Sequence, residues 1–196
     1  SMEVKTEAFA MLYSSFGKKI VNKVIKYHEA NGGISRYEKI KYFHKNYLNK
    51  TISKKELIYQ ANEFSKLVIE KVISAPYVAG IMDYIEKCNK KYKLFISTGT
   101  PTNEITEILI KRNIINYFSN VYGSPSEKKE HIKRILADYN FCADELLFYG
   151  DSKADLYAAN IFNVPFILIK TNLNKELAND YSGKVISNFV DYNYTK

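Results

Sequence analysis

Residues 146–159 read LLFYGDSKADLYAA. A short apolar run ends in Gly150-Asp151-Ser152, a second carboxylate, Asp155, stands four residues after the first, and Leu156, Ala158 and Ala159 then open an apolar helical face. The pattern predicts a buried strand that stops, turns on a glycine and starts a helix. Two carboxylates at a strand's C-terminal end suit a hard cation. Mg²⁺ takes oxygen ligands, keeps several waters and is held by one or two carboxylates with a substrate phosphate. Asp and Ser are also common helix caps, so capping alone is the competing reading of Asp151. Two other stretches bear on the choice. LFISTG (residues 94–99) puts the hydroxyls of Ser97 and Thr98 at a second strand end, where the N–H groups that open a helix favour an anion. GSPSEKKEHI (residues 123–132) opens a helix at Lys128, with Lys129 beside it. A hydroxyl, a lysine and an acidic pair on one sheet edge are the parts needed to hold a phosphoryl group. Positioning and charge neutralisation carry most of phosphoryl-transfer catalysis.

The elements that must position these residues fall into two patterns. Helical spacing recurs over residues 2–14 and 18–29. Asn31-Gly32-Gly33 breaks it. Ser35 and Ser53 are then expected N-caps, with Glu38 and Glu56 three residues on, for helices reaching Tyr47 and Ser74. After Pro76 the pattern alternates. A helix over residues 77–90 precedes apolar strands at 94–96, 121–122, 146–149, 164–169 and, weakly, 185–186, with helices at 102–112, 126–139 and 153–163 between them. Alternation of this kind predicts an α/β protein with a doubly wound parallel sheet. Its ligand sits beyond the carboxyl ends of the strands, where Ser97, Thr98 and Asp151 are placed.

The ordered set LFISTG, Lys128 and GDSKAD resembles the second, third and fourth motifs of the haloacid dehalogenase-like hydrolase superfamily. The resemblance covers residues 77–188. It implies a Rossmann-like α/β core over residues 77–196, with residues 1–76 as an all-helical cap. It implies Thr98 as the motif hydroxyl, because Gly99 follows it, with Ser97 as the alternative. Lys128 is the motif lysine and Lys129 its near alternative. Asp151 and Asp155 are the implied Mg²⁺ ligands. Gly99 and Arg36 are the implied substrate-binding positions, since GISR (residues 33–36) resembles the cap segment of beta-phosphoglucomutase-like members, whose arginine contacts the non-reacting phosphate. A guanidinium suits that task. His28 and His44, on aromatic helical faces, are expected to pack rather than react.

The family's first motif, an apolar strand ending in Asp-x-Asp whose first aspartate is the nucleophile, has no counterpart here: no Asp-x-Asp occurs in the sequence. Ser1-Met2-Glu3 leads straight into the first helix, as though the chain began just downstream of that motif. The resemblance places the absent strand centrally, between those ending at Ser97 and Tyr149. Distortion or a gap is expected there, with self-association through the exposed edges as one outcome.

Composition narrows the function class. The 196 residues, 46% apolar and 26% charged, suit one soluble globular domain or a domain with a modest second module. Cys88 and Cys142 lack metal-ligand spacing. They read as free thiols of a cytoplasmic protein. No apolar run approaches a membrane span. The net charge of +8 is nearly all lysine, so a solvated surface is expected before a nucleic-acid face. The resulting expectation is a Mg²⁺-dependent phosphatase of a small phosphorylated metabolite, inactive as this chain stands for want of its nucleophile. A phosphomutase of the same fold, and a non-catalytic or nucleic-acid-binding relative using the Lys/Tyr-rich segment 36–50, are the alternatives.

Overall fold

The computed structural model describes residues 2–190 and 192; Ser1 lies outside them. Four helices come first: α1 (Met2–Leu12), α2 (Lys18–Ala30), α3 (Arg36–Tyr47) and α4 (Lys54–Ser74). A single 3-10 turn and Gly17, at φ 85°, reverse the chain between α1 and α2. Ser35 and Ser53 cap α3 and α4, their hydroxyls accepting from the backbone N–H of Glu38 and Glu56. The reciprocal half of the expected capping box at Ser35 is replaced: the Glu38 carboxylate turns to Lys41 at 2.8 Å.

The helical faces meet on an aromatic core of Phe9, Tyr13, Phe43 and Phe64 with Val24, Ile40 and Val68. Phe43 stands edge-on to both Phe9 and Tyr13, with centroids 5.5 and 5.3 Å apart, a favoured geometry for the ring quadrupoles. His44 packs on Tyr13 and meets Gln60. The tyrosines of the Lys/Tyr-rich segment also pack: Tyr42 stacks on Tyr27 at 4.0 Å.

The second region alternates: α5 (Ile81–Asn89), β1 (Phe95–Pro101), α6 (Thr102–Lys111), β2 (Asn120–Ser124), α7 (Lys128–Tyr139), β3 (Phe148–Gly150), α8 (Lys153–Ile161), β4 (Phe166–Ile169), α9 (Lys175–Asp180) and β5 (Val185–Ile186). Every pairing is parallel. β1 runs beyond its apolar residues through Ser97 and Thr98, and its register with β2 shifts between Ser97 and Pro101. α5 starts four residues later than its periodicity suggests, after Gly80 in the left-handed region (φ 75°). There a Cβ would lie 2.4 Å from the Phe189 backbone.

The sheet is in two pieces. β1 pairs with β2, and β3-β4-β5 form a separate sheet, so β1 and β3 do not pair with each other. That is the gap expected between the strands ending at Ser97 and Tyr149. The buried residues form a second core on the β3-β4-β5 side, from Ile132, Ala158, Ala159, Val164, Phe166 and Leu168. No described helix is long and apolar enough to cross a membrane.

Candidate active site

The helical region and the strand ends enclose a cavity of about 240 Å³. Its floor comes from the strand ends: Ser97, Thr98 and Gly99 of β1, Lys128 at the start of α7, and Asp151 and Asp155 after β3. Its roof comes from α1 to α3 and the Gly33 loop, through Lys5, His28, Arg36 and Lys39. The loop sits close. A Cβ on Gly33, at φ 82°, would come within 2.6 Å of the Ser152 hydroxyl and 3.1 Å of Lys128 Nζ. A Cβ on Gly99 would lie 2.7 Å from the Gly33 carbonyl oxygen. Two glycines therefore allow the roof to rest directly on the floor.

Within the floor the two motif hydroxyls face different partners. Ser97 Oγ lies 2.9 Å from His131 Nδ1. His131 Nε2 must donate to the Gly123 carbonyl at 3.2 Å, so in the neutral ring Nδ1 accepts and Ser97 donates. Burial lowers the His131 pKa and favours that neutral ring. Thr98 Oγ1 accepts from the Thr100 N–H at 3.2 Å, which leaves its proton to donate. The two lysines separate as well. Lys128 lines the cavity and pairs with Asp155, whereas Lys129 lines the groove outside and pairs with Glu127 at 2.9 Å.

Ser152, not Asp151, caps α8. Its hydroxyl accepts from the Asp155 N–H, and Asp155 Oδ2 accepts from the Ser152 N–H at 3.1 Å and from the Ser152 hydroxyl. Asp155 is buried with one oxygen on Ser152 and the other on Lys128. Asp151 stands beside it, its side chain outside the cap. Protein packed around the Asp151 carboxyl, then the Asp155 charge, raise its pKa above the usual carboxylate range, while Lys128 pulls it down. By donor chemistry a hard cation fits here. Asp151 supplies a carboxylate at the cavity wall, Asp155 a second whose oxygens are shared with Lys128 and Ser152, and phosphate and water complete such a shell. Among the described residues no group of three or more His, Cys, Asp and Glu side chains gathers, so these two carboxylates are the whole acidic set.

Arg36 lines the cavity, and its donors already have partners within the chain. Its guanidinium, expected to face a substrate phosphate, grips Glu104 of α6 through two bonds of 2.8 and 2.5 Å, donates to Ser65 and stacks over Phe64. The pair is buried and ties the helical region to the α/β region. The sequence reading missed three groups. Lys5 of α1 lies 3.4 Å from Thr100 Oγ1. Lys39 of α3 lies 2.8 Å from His28 Nδ1, so His28, expected only to pack, also faces the cavity. His131 buttresses Ser97. In so lysine-rich a chain a single lysine carried no signal, and His131 was marked only by standing three residues after Lys128.

A model of the haloacid dehalogenase-like hydrolase family matches residues 3–169. The chain belongs to that family. A phosphoglycolate phosphatase of Photorhabdus laumondii is 32% identical over 103 residues, a match that takes in 49% of this chain and 44% of that protein's length. Among solved structures, a predicted phosphoglycolate phosphatase from Haemophilus somnus superposes with a TM-score of 0.73 at 17% identity, over 97% of this chain and 89% of that one. A beta-phosphoglucomutase from Clostridium difficile gives 0.72 at 18% identity, over 97% and 87%. At such identities the structures show the shared fold. The family is one of haloacid dehalogenase-like phosphatases and phosphomutases.

Proposed function

We propose that the cavity binds the phosphoryl group of a small phosphorylated metabolite, as in a haloacid dehalogenase-like phosphatase. Thr98 donates to a phosphoryl oxygen, Lys128 neutralises its charge, and Asp151 with Asp155 hold Mg²⁺ beside it. When bound, Mg²⁺ supplies charge neutralisation on the phosphoryl oxygens. The residues' own work is positioning. The α7 start aims Lys128 inward, the Ser152 cap fixes Asp155 against Lys128, and His131 turns Ser97 away and leaves Thr98 as the free donor. The Gly33 loop covers the floor and excludes bulk water and large substrates. The observation that carries this reading is the convergence of Thr98, Lys128, Asp151 and Asp155 on one cavity.

The same reading makes this chain a binder that does not turn substrate over. Covalent phosphoryl transfer needs a nucleophile, and the sequence holds no Asp-x-Asp to supply one. With Mg²⁺ and an aryl phosphate, turnover should not exceed the buffer rate. Turnover that Asp151→Asn abolishes would refute this. The phosphomutase alternative leaned on Arg36, whose donors are on Glu104 and Ser65. The nucleic-acid alternative leaned on aromatics that pack among themselves. Neither has a side-chain contact at the site in its favour, and the phosphomutase reading keeps only the fold shared with the beta-phosphoglucomutase.

A further inference from the structure

Lys39 is 2% exposed. Its Nζ lies 2.8 Å from His28 Nδ1, and among the described residues no carboxylate forms an ion pair with it. Phe9 and Phe64 wall the same cavity, with ring centroids 4.3 Å apart, and Phe9 stands 4.9 Å from the His28 ring. The charges that act on Lys39 are Lys5 and Lys128, both cations. The remaining cations at the cavity are matched: Arg36 by Glu104 and Lys128 by Asp155. An ammonium buried among rings and cations is costly, and shedding its proton is the cheaper state. Burial first, then the two lysines, lower Lys39 to about 7. Near neutral pH it therefore offers a free amine, whereas an exposed lysine, near about 10.4, stays protonated.

We propose that Lys39 is a modification site for carbon dioxide, its buried amine forming a reversible lysine carbamate beside His28. The nitrogen lone pair attacks the carbon of CO2 and a C–N bond forms. One C=O π pair moves onto oxygen, and an N–H proton passes to His28 Nδ1 and on to solvent. Nothing is oxidised or reduced, and the proton is what leaves. CO2 is small, uncharged and apolar, so the Phe9 and Phe64 walls admit it. An amine only 2% exposed is closed to bulkier electrophiles. The product is an anion placed among unmatched cations. Lys5, the first charge that acts on Lys39, becomes its counter-ion and stabilises it. The inference uses none of the phosphoryl-binding groups of the floor and stands apart from that reading.

Chemical trapping on the intact chain tests it. The protein is equilibrated at neutral pH with isotope-labelled CO2 and bicarbonate, then treated with triethyloxonium, which fixes a carbamate as its stable ethyl ester. Mass mapping of the digested chain then gives the label at each lysine. The proposal expects Lys39 to carry about tenfold or more label than Lys18, an exposed lysine with the ordinary ammonium preference. Unfolding the chain in urea before labelling should erase that advantage. Label at Lys39 no higher than at Lys18 overturns the proposal, a result that needs no variant to fold. An advantage that persists in urea, or that falls on Lys5 in place of Lys39, overturns it too. No phosphate is present, so a failure here leaves the phosphoryl reading of the floor to its own test.

Discussion

The helical region and the α/β region bury their apolar residues in different ways. Residues 2–74 close on themselves: Phe9, Tyr13, Phe43 and Phe64 are almost wholly buried by neighbours from the same four helices. In the α/β region, Phe95 and Ile96 of β1 are only half-buried, α5 has no buried residue, and β3 is half-buried along its length. A helix satisfies its own backbone and needs one covered face. A parallel strand needs partners on both edges and both faces, brought from distant sequence. The region that depends on long-range pairing is therefore the one left divided, with unpaired edges on β1 and β3. The site lies where the helical region rests on the divided sheet.

The largest effect should come from cutting the link between them. Glu104→Ala strands a buried guanidinium, and loss of one partner of a buried ion pair costs about 3–5 kcal/mol. Urea denaturation measures it, and replacing Arg36 and Glu104 together by methionine should recover most of the loss. The comparison itself predicts unequal cores. Phe43→Ala should cost about 3–5 kcal/mol, while Ile96→Ala in half-buried β1 should cost about 1 kcal/mol. Equal losses would show that the divided sheet is as well packed as the helices.

A third effect is a pH slope. Lys39 and Lys5 are held down to about 7 and about 8 in the folded chain, against about 10.4 when unfolded. Between those values the unfolded chain binds more protons, so stability rises as pH rises from about 7 towards about 10. Lys39→Met should raise stability at pH 7 and flatten that slope. Thermal melts across the range check both. The smallest change is Ser53→Ala, which removes the α4 cap at a cost of about 1 kcal/mol and should leave the cavity unaltered.

What the sequence revealed followed from local chemistry. Ser35 and Ser53 marked their helix starts to the residue, and GDSKAD marked a strand end and a helix start. What it hid depended on distance. Arg36 finds Glu104 68 residues away, and no local pattern announces that pairing. Ser152 took the cap that Asp151 seemed to offer because its hydroxyl and Asp155 close a reciprocal pair. α9 is a short polar segment with only Leu177 and Ala178 to pack, too little periodicity to read. The roof lysines became visible only when α1 and α3 were laid over the strand ends.

The central claim is that Lys128 and Thr98 hold a phosphoryl group at the junction of the two regions. Titration of inorganic phosphate into the chain, followed by the Lys128 ammonium and Thr98 amide NMR signals, tests it most directly. The account predicts saturable shifts at both residues, lost in Lys128→Met and retained in Lys129→Met. Shifts confined to the surface lysines, or unchanged by Lys128→Met, would contradict it.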